Sequence, residues 1–122
     1  MPEPPKSEPK QVIQGAPMIK VKGPRATAEY YRDVLGFEFD YGSESYCVVW
    51  RDNAALHFIR SDEPASGVRY FLWVKNADDV LAGLREAGAE IKVDVADRDY
   101  GIRDFTVVDC NGMEIVVGQD ID

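Results

Sequence analysis

Residues 25–41, RATAEYYRDVLGFEFDY, decide the fold. Ala28, Tyr31, Val34 and Leu35 fall at roughly helical spacing and give one apolar face. Gly36 follows the last apolar turn, where a left-handed residue ends a helix at low steric cost. Phe37, Phe39 and Tyr41 then alternate with Glu38 and Asp40, the period of a half-buried strand. The stretch therefore reads helix, glycine stop, strand.

The same order is written a second time. Val21-Lys22 leads through the first helix to Gly36-Phe37-Glu38-Phe39, and Val74-Lys75 leads through residues 78–87 to Gly88-Ala89-Glu90-Ile91. The paired landmarks agree in spacing to within one residue, which points to a duplicated unit.

Working outward, residues 12–22 are mostly extended, with Gly15 and Pro17 interrupting a first strand that is expected to lie at an edge or crossing point. YCVVWR (46–51) and 54–60 form a hairpin about Asp52-Asn53, and SDEPASG (61–67) is the polar seam. The second copy runs through strand 69–74, helix 78–87, strand 90–95, loop 97–101 and strands 102–108 and 113–118. Asn111-Gly112 turns the last hairpin, and Asn76 or Asp78 caps the helix. Each half reads βαβββ. The expected class is α+β, two βαβββ modules forming a curved mixed sheet around a cavity. Its single domain spans 12–118, with modules at about 12–60 and 68–118. Residues 1–11, rich in proline and charge, form a disordered tail, and 119–122 form a short acidic one.

A chain of 122 residues with 45% hydrophobic and 30% charged residues is an ordinary globular composition. No apolar run reaches the ~20 residues of a membrane span, and MPEPPKSEPK has no signal-like apolar region. The formal net charge of −8 argues against a nucleic-acid partner and is compatible with a cationic ligand, though solubility alone explains it. Cys47 and Cys110 are outside any CxxC arrangement and are expected as reduced thiols in the cytoplasm.

Alternation assigns faces. Leu56, Phe58, Tyr70, Leu72, Val74, Ile115 and Val117 suit the helix-packed side. Ala55, His57, Ile59, Arg69, Phe71, Trp73, Glu114 and Val116 suit the other, concave side.

The paired halves, AEYYRDVLGFEFDY, ALHFIRSDEP and YGIRDFTVVDCNGMEIV together resemble the vicinal oxygen chelate superfamily, which includes glyoxalase I, extradiol dioxygenases and bleomycin-resistance proteins. Pro17, YCVVWRDNAALHFIRS, RYFLWVKNADDV and YGIRDF look most like the bleomycin-resistance group. The resemblance covers residues 12–118. It implies a homodimer, with the first strand exchanged between subunits about Pro17, and ligand sequestration in place of chemistry. In enzymatic members, His or Glu ligands lie on the first, fifth and last strands, and some add a Glu on the fourth. Matched to those positions, this chain has Ala16, Ala55, Arg69 and Val116, which cannot donate a lone pair to a divalent metal.

The resulting expectation is a metal-free small-molecule binding protein holding a planar ligand, with a cationic, bleomycin-like molecule as one version. No cofactor and no catalytic residue are expected. The alternatives are a divalent-metal lyase or dioxygenase of the glyoxalase type and a dimer with no ligand. Candidate ligand contacts are Trp73, Tyr100, Phe71, Trp50, Tyr46, His57, Arg69 and Glu114. Several of the aromatics are equally good as core. His57 with Glu114 makes too small a donor set for a stable metal site, and a polar role at a strand end is the plainer one for His57. Asp104 and Glu114 can form a carboxylate pair across the last hairpin, although pairing with Arg103 or Arg69 competes. Asp40, Glu44, Asp99 and Asp104 are acidic groups suited to steering a cation.

Overall fold

The computed structural model describes residues 3–4 and 11–122. The expected disordered segment 1–11 lies outside the described residues except at Glu3, Pro4 and Gln11. The described chain divides into two compact units, one ending at Gly67 and the other spanning Val68–Asp122. Each carries one helix and one four-stranded mixed sheet, and each realises the βαβββ order read from the sequence.

In the first unit β1 (Met18–Val21), α1 (Pro24–Asp33), β2 (Glu38–Gly42), β3 (Tyr46–Arg51) and β4 (Ala54–Arg60) form a sheet of order β1-β4-β3-β2. The β1–β4 pair is parallel and the others are antiparallel. The first strand is shorter than expected. Ala16 and Pro17 precede it, because the proline has no N–H for the ladder. The Pro17 carbonyl still accepts from the His57 N–H at 3.0 Å.

The helix-side face of this sheet is aromatic. Tyr31 of α1 is fully buried, with ring centroids 5.3 Å from Phe37 and 5.0 Å from Phe58. Thr27 and Ala28 complete the buried stripe, whereas Val34, expected on it, caps the helix end and is only half-buried.

In the second unit β5 (Arg69–Trp73), α2 (Ala77–Glu86), β6 (Glu90–Asp97), β7 (Ile102–Val108) and β8 (Glu114–Asp120) repeat the pattern as β5-β8-β7-β6. Here β5 and β8 are parallel. The core is mostly aliphatic: Leu81, Leu84, Val107, Ile115 and Val117 are buried around Phe105. The last strand runs beyond the expected limit of 118, so Gln119 and Asp120 belong to β8 and not to a tail. The Gln119 side-chain carbonyl accepts from the Ala77 N–H at 2.9 Å and ties that strand to the start of α2. Asn76 caps α2 by accepting from the Asp79 N–H at 3.0 Å.

Both helices stop at the glycines the sequence offered, Gly36 at φ 77° and Gly88 at φ 85°. The one-residue difference in spacing lies here. In α2 the Ala89 N–H donates to Leu84 O at 2.9 Å and Gly88 N–H to Arg85 O at 3.1 Å, a tight Schellman closure. In α1 the Phe37 N–H reaches back to Tyr31 O at 2.9 Å, one residue further, and Arg51 Nη1 donates to Leu35 O at 3.1 Å. The side chain satisfies a carbonyl that the looser turn leaves open.

Candidate functional site

Residues directly opposite one another across a ladder share a face. In the first sheet Met18, His57, Val48 and Tyr41 form one row on the side away from α1. Lys20, Ile59 and Tyr46 form the next on one flank, and Ala55, Trp50 and Glu38 the next on the other. The expected contacts Tyr46, Trp50 and His57 are therefore brought to one face. Tyr46 Oη is hydrogen-bonded to His57 Nδ1, with the rings 5.5 Å apart and edge-on. His57 is thus a polar group tied to a tyrosine within a row of apolar side chains. Ala55 is buried, and Met18 and Tyr41 remain more than half exposed.

In the second sheet the corresponding face holds three rows: Arg69, Glu114 and Val108; Phe71, Val116 and Thr106; Trp73, Gly118 and Asp104. Phe71 and Trp73 meet edge-on at 4.8 Å, and Phe71 is still 41% exposed. Gly118 makes that position possible. A Cβ at residue 118 would lie 2.4 Å from Phe71 Cζ, so the ring lies over the bare backbone of β8. The expected contacts Trp73, Phe71, Arg69 and Glu114 share this face.

Tyr100 stands on the 98–101 turn before β7. Its hydroxyl donates to Asp104 Oδ2 at 2.7 Å, and Arg98 Nε donates to Asp104 Oδ1 at 2.8 Å. The hydrogen bond to Asp104, with burial second, raises the phenol above its ordinary range. Arg98 also donates from Nη2 to the carbonyls of Asp94 and Asp104, at 3.0 and 3.2 Å, closing the turn. The buried Asp104 thus fixes the position of Tyr100.

Asp104 and Glu114 do not form a carboxylate pair. Asp104 is opposite Gly118 and Glu114 is opposite Val108, two rows apart. Each has its own cations. Lys92 Nζ donates to Glu114 Oε2 at 2.8 Å and Arg69 Nε lies 3.4 Å from Oε1. The Lys92 hydrogen bond first, then its charge and that of Arg69, hold the Glu114 carboxyl below its ordinary range. Arg103, the other partner considered for Asp104, points to the helix side and clamps Asp78 at 3.0 and 3.1 Å and Asp97 at 2.9 Å.

Lys92, Arg98 and Thr106 were missed as members of this face. Lys92 follows Glu90 onto this face by alternation, and the register shift between Ile91 and Val93 brings Val93, opposite Thr106, onto it as well. Nothing in the sequence around Lys92 marks the bulge.

The four positions matched to metal ligands do not fit a divalent ion. Ala16 precedes β1, Ala55 is a buried methyl, Val116 is apolar, and Arg69 is a cation engaged with Glu114. Among the described residues no group of three or more His, Cys, Asp or Glu is placed to hold a metal. Cys47 is buried, which pushes its thiol up, and it donates to Ser43 O. A separate surface cleft between α1 and β2 is lined by Arg25, Arg32, Phe37, Glu38 and Phe39. Both guanidiniums lie over Phe39, at 5.7 and 6.0 Å from its centroid, but each already has a protein partner, Gly42 O or Asp33.

Neither a family model nor a curated protein matches the sequence. Solved structures do match its fold. The bleomycin-binding protein of Streptomyces verticillus complexed with copper(II)-bleomycin is 22% identical with a TM-score of 0.74, over 88% of this chain and 96% of that one. TioX from Micromonospora sp. ML1 is 19% identical with a TM-score of 0.76, over 88% and 98%. A glyoxalase / bleomycin resistance protein from Catenulispora acidiphila is 27% identical with a TM-score of 0.72, over 88% and 98%. No helix among the described residues is long and apolar enough to cross a membrane.

Proposed function

We propose, from the vicinal oxygen chelate fold that this chain carries, that it is a metal-free small-molecule binding protein of the bleomycin-resistance type, holding a planar ligand by sequestration. The observation that carries this reading is the edge-on Phe71–Trp73 pair, with Phe71 laid over Gly118, on the open face of the second sheet. Aromatic side chains held in place and left partly exposed are suited to stacking on a flat molecule, each worth about 1 kcal/mol beyond area burial. Tyr100, pinned by Asp104, adds a third ring on the same unit. Tyr46, Trp50 and His57 supply a second aromatic face on the first unit.

Binding without a metal is supported by the donor set, since Ala16, Ala55, Arg69 and Val116 stand where the enzymatic relatives need lone pairs. The glyoxalase or dioxygenase alternative therefore finds no supporting side chains. Elemental analysis of protein purified without chelator would revive it if a divalent metal appeared at one per chain.

A homodimer with the first strand exchanged belongs to the same reading. Val12 and Ile13 ahead of β1 and Met18 within it are exposed apolar residues, suited to a second chain. A monomer mass by light scattering at micromolar concentration would remove this part. A cytoplasmic setting, with Cys47 and Cys110 reduced, completes the proposal.

The test is a fluorescence titration of Trp50 and Trp73 with metal-free bleomycin. Saturable quenching at one drug per chain would make bleomycin a ligand. A flat titration would remove bleomycin as the ligand.

A further inference from the structure

The charge of the ligand can be read from the second sheet once the planar-ligand reading above is adopted, on which this inference rests. The net charge of −8 over the whole chain favours cations at long range. The open face of β5-β8-β7-β6 is locally different. Its two interior carboxylates are committed: Glu114 faces Arg69 through Oε1 and Lys92 through Oε2, and Asp104 faces Arg98 through Oδ1 and Tyr100 through Oδ2. A ligand cation approaching either carboxylate would meet the like charge of the protein cations already paired with it.

The cations are less committed. Glu114 is shared, and Lys92 takes the shorter contact, 2.8 Å against 3.4 Å for Arg69. Arg69 therefore has a long contact at Nε, and its two terminal nitrogens donate no hydrogen bond among the described residues. Among the described strand residues two exposed acids share this face, and neither neutralises Arg69. Glu90 lies on the opposite edge strand, in the Val108 row, three strand spacings away or about 14 Å, beyond the screening length of physiological salt. Asp120 lies opposite Ile102, six residues from Glu114 along β8, roughly 20 Å away.

Phe71 is two residues from Arg69 on the same strand and the same face, about 7 Å along it. A planar fork of unused N–H donors thus stands one row from an exposed aromatic ring. Among the described residues an ammonium meets there only carboxylates already paired with cations, whereas a carboxylate finds two parallel donors. We infer that the second sheet selects a planar carboxylic acid, its ring against Phe71 and Trp73 and its carboxylate on the Arg69 guanidinium.

Isothermal titration calorimetry with naphthylacetate, naphthylethanol and naphthylethylamine tests this, since the three share a ring and differ in charge. The carboxylate is expected to bind roughly five-fold more tightly than the alcohol, the scale of one exposed ion pair, and the ammonium most weakly. Arg69→Gln should bring the carboxylate down to the alcohol. Glu114→Gln should widen the preference, because it releases Arg69 and Lys92 together. Equal affinities, tightest binding of the ammonium, or a carboxylate preference that survives Arg69→Gln would overturn the inference and leave the aromatic platform standing. Absence of binding by all three would overturn the planar-ligand reading and this inference with it.

Discussion

The two units share one backbone plan and differ in almost everything that plan presents. Their strand orders correspond, β1-β4-β3-β2 and β5-β8-β7-β6, and each has a parallel pair at one edge and a ten-residue helix. The core of the first is built on the Tyr31–Phe37–Phe58 cluster, that of the second on aliphatic side chains around Phe105. The open face of the first is largely apolar, with a Tyr46–His57 bond, while that of the second alternates ion pairs with exposed aromatics. The shared plan holds what each half needs to fold, and the faces away from the helices, which packing constrains least, are where the halves differ.

The largest expected effect tests whether both cores carry comparable weight. Phe58→Ala and Phe105→Ala should each cost about 3–5 kcal/mol, because each deletes a fully buried ring whose cavity cannot collapse completely. Urea unfolding measures both. A loss below about 1 kcal/mol in either would mean that its unit repacks freely.

Next is a feature with no counterpart in the first unit. Asp104→Ala should cost about 2–3 kcal/mol in urea unfolding, since it leaves Arg98 and the Tyr100 hydroxyl without their shared acceptor. The same variant should release the phenol. In an ultraviolet pH titration Tyr100 of the intact protein ionises above the ordinary tyrosine range, and in the variant it should return to it. The sign follows from the raised value. The folded form holds the proton longer, so this contribution is present below about pH 10 and is lost as pH rises through the higher folded value.

The helix stops give a paired comparison. Gly88→Ala, with open space around the added carbon, should cost about 1 kcal/mol for the left-handed backbone alone. Gly36→Ala should cost more, because its Cβ would lie 3.0 Å from Arg51 Nη1, the group that holds the Leu35 carbonyl. Equal losses in thermal unfolding would show that the guanidinium moves aside without penalty.

The smallest effect is in acid. Arg103 and Lys92 hold Asp78 and Glu114 below their ordinary ranges, each chiefly through a side-chain hydrogen bond. The folded form then binds fewer protons than the unfolded one. Its extra stability is present above about pH 4 and is lost as pH falls through the lowered values. Because these pairs are solvent-exposed the loss should be slight. It should appear in hydrogen exchange as weaker protection of Val68–Asp122 in acid, and Arg103→Gln should remove the Asp78 share of that pH dependence by freeing the carboxyl.

The repeat was legible because its signals are local. Apolar spacing, a glycine after the last turn and Asn-Gly at a hairpin depend on neighbours in the chain, so ten elements emerged in their true order. The aromatic members of the second face, Phe71 and Trp73, were legible for the same reason, since a pleat of period two assigns their side. What alternation could not supply was the far edge of that sheet. A bulge in β6 sets Val93 on the same face as Lys92, which reaches Glu114, and an inserted residue leaves no mark that a periodic pattern can detect.

By itself the sequence determined the α+β class, the repeated unit and the glycine stops, all of which follow from residue type and spacing. Only the tertiary structure decided which charge meets which. Asp104 took Arg98 and Tyr100 rather than Arg103, Glu114 took Lys92 with Arg69, and Phe71 settled over Gly118. Ion pairs form between side chains whose reach and register bring them together across strands, and those distances are set only when the sheet closes.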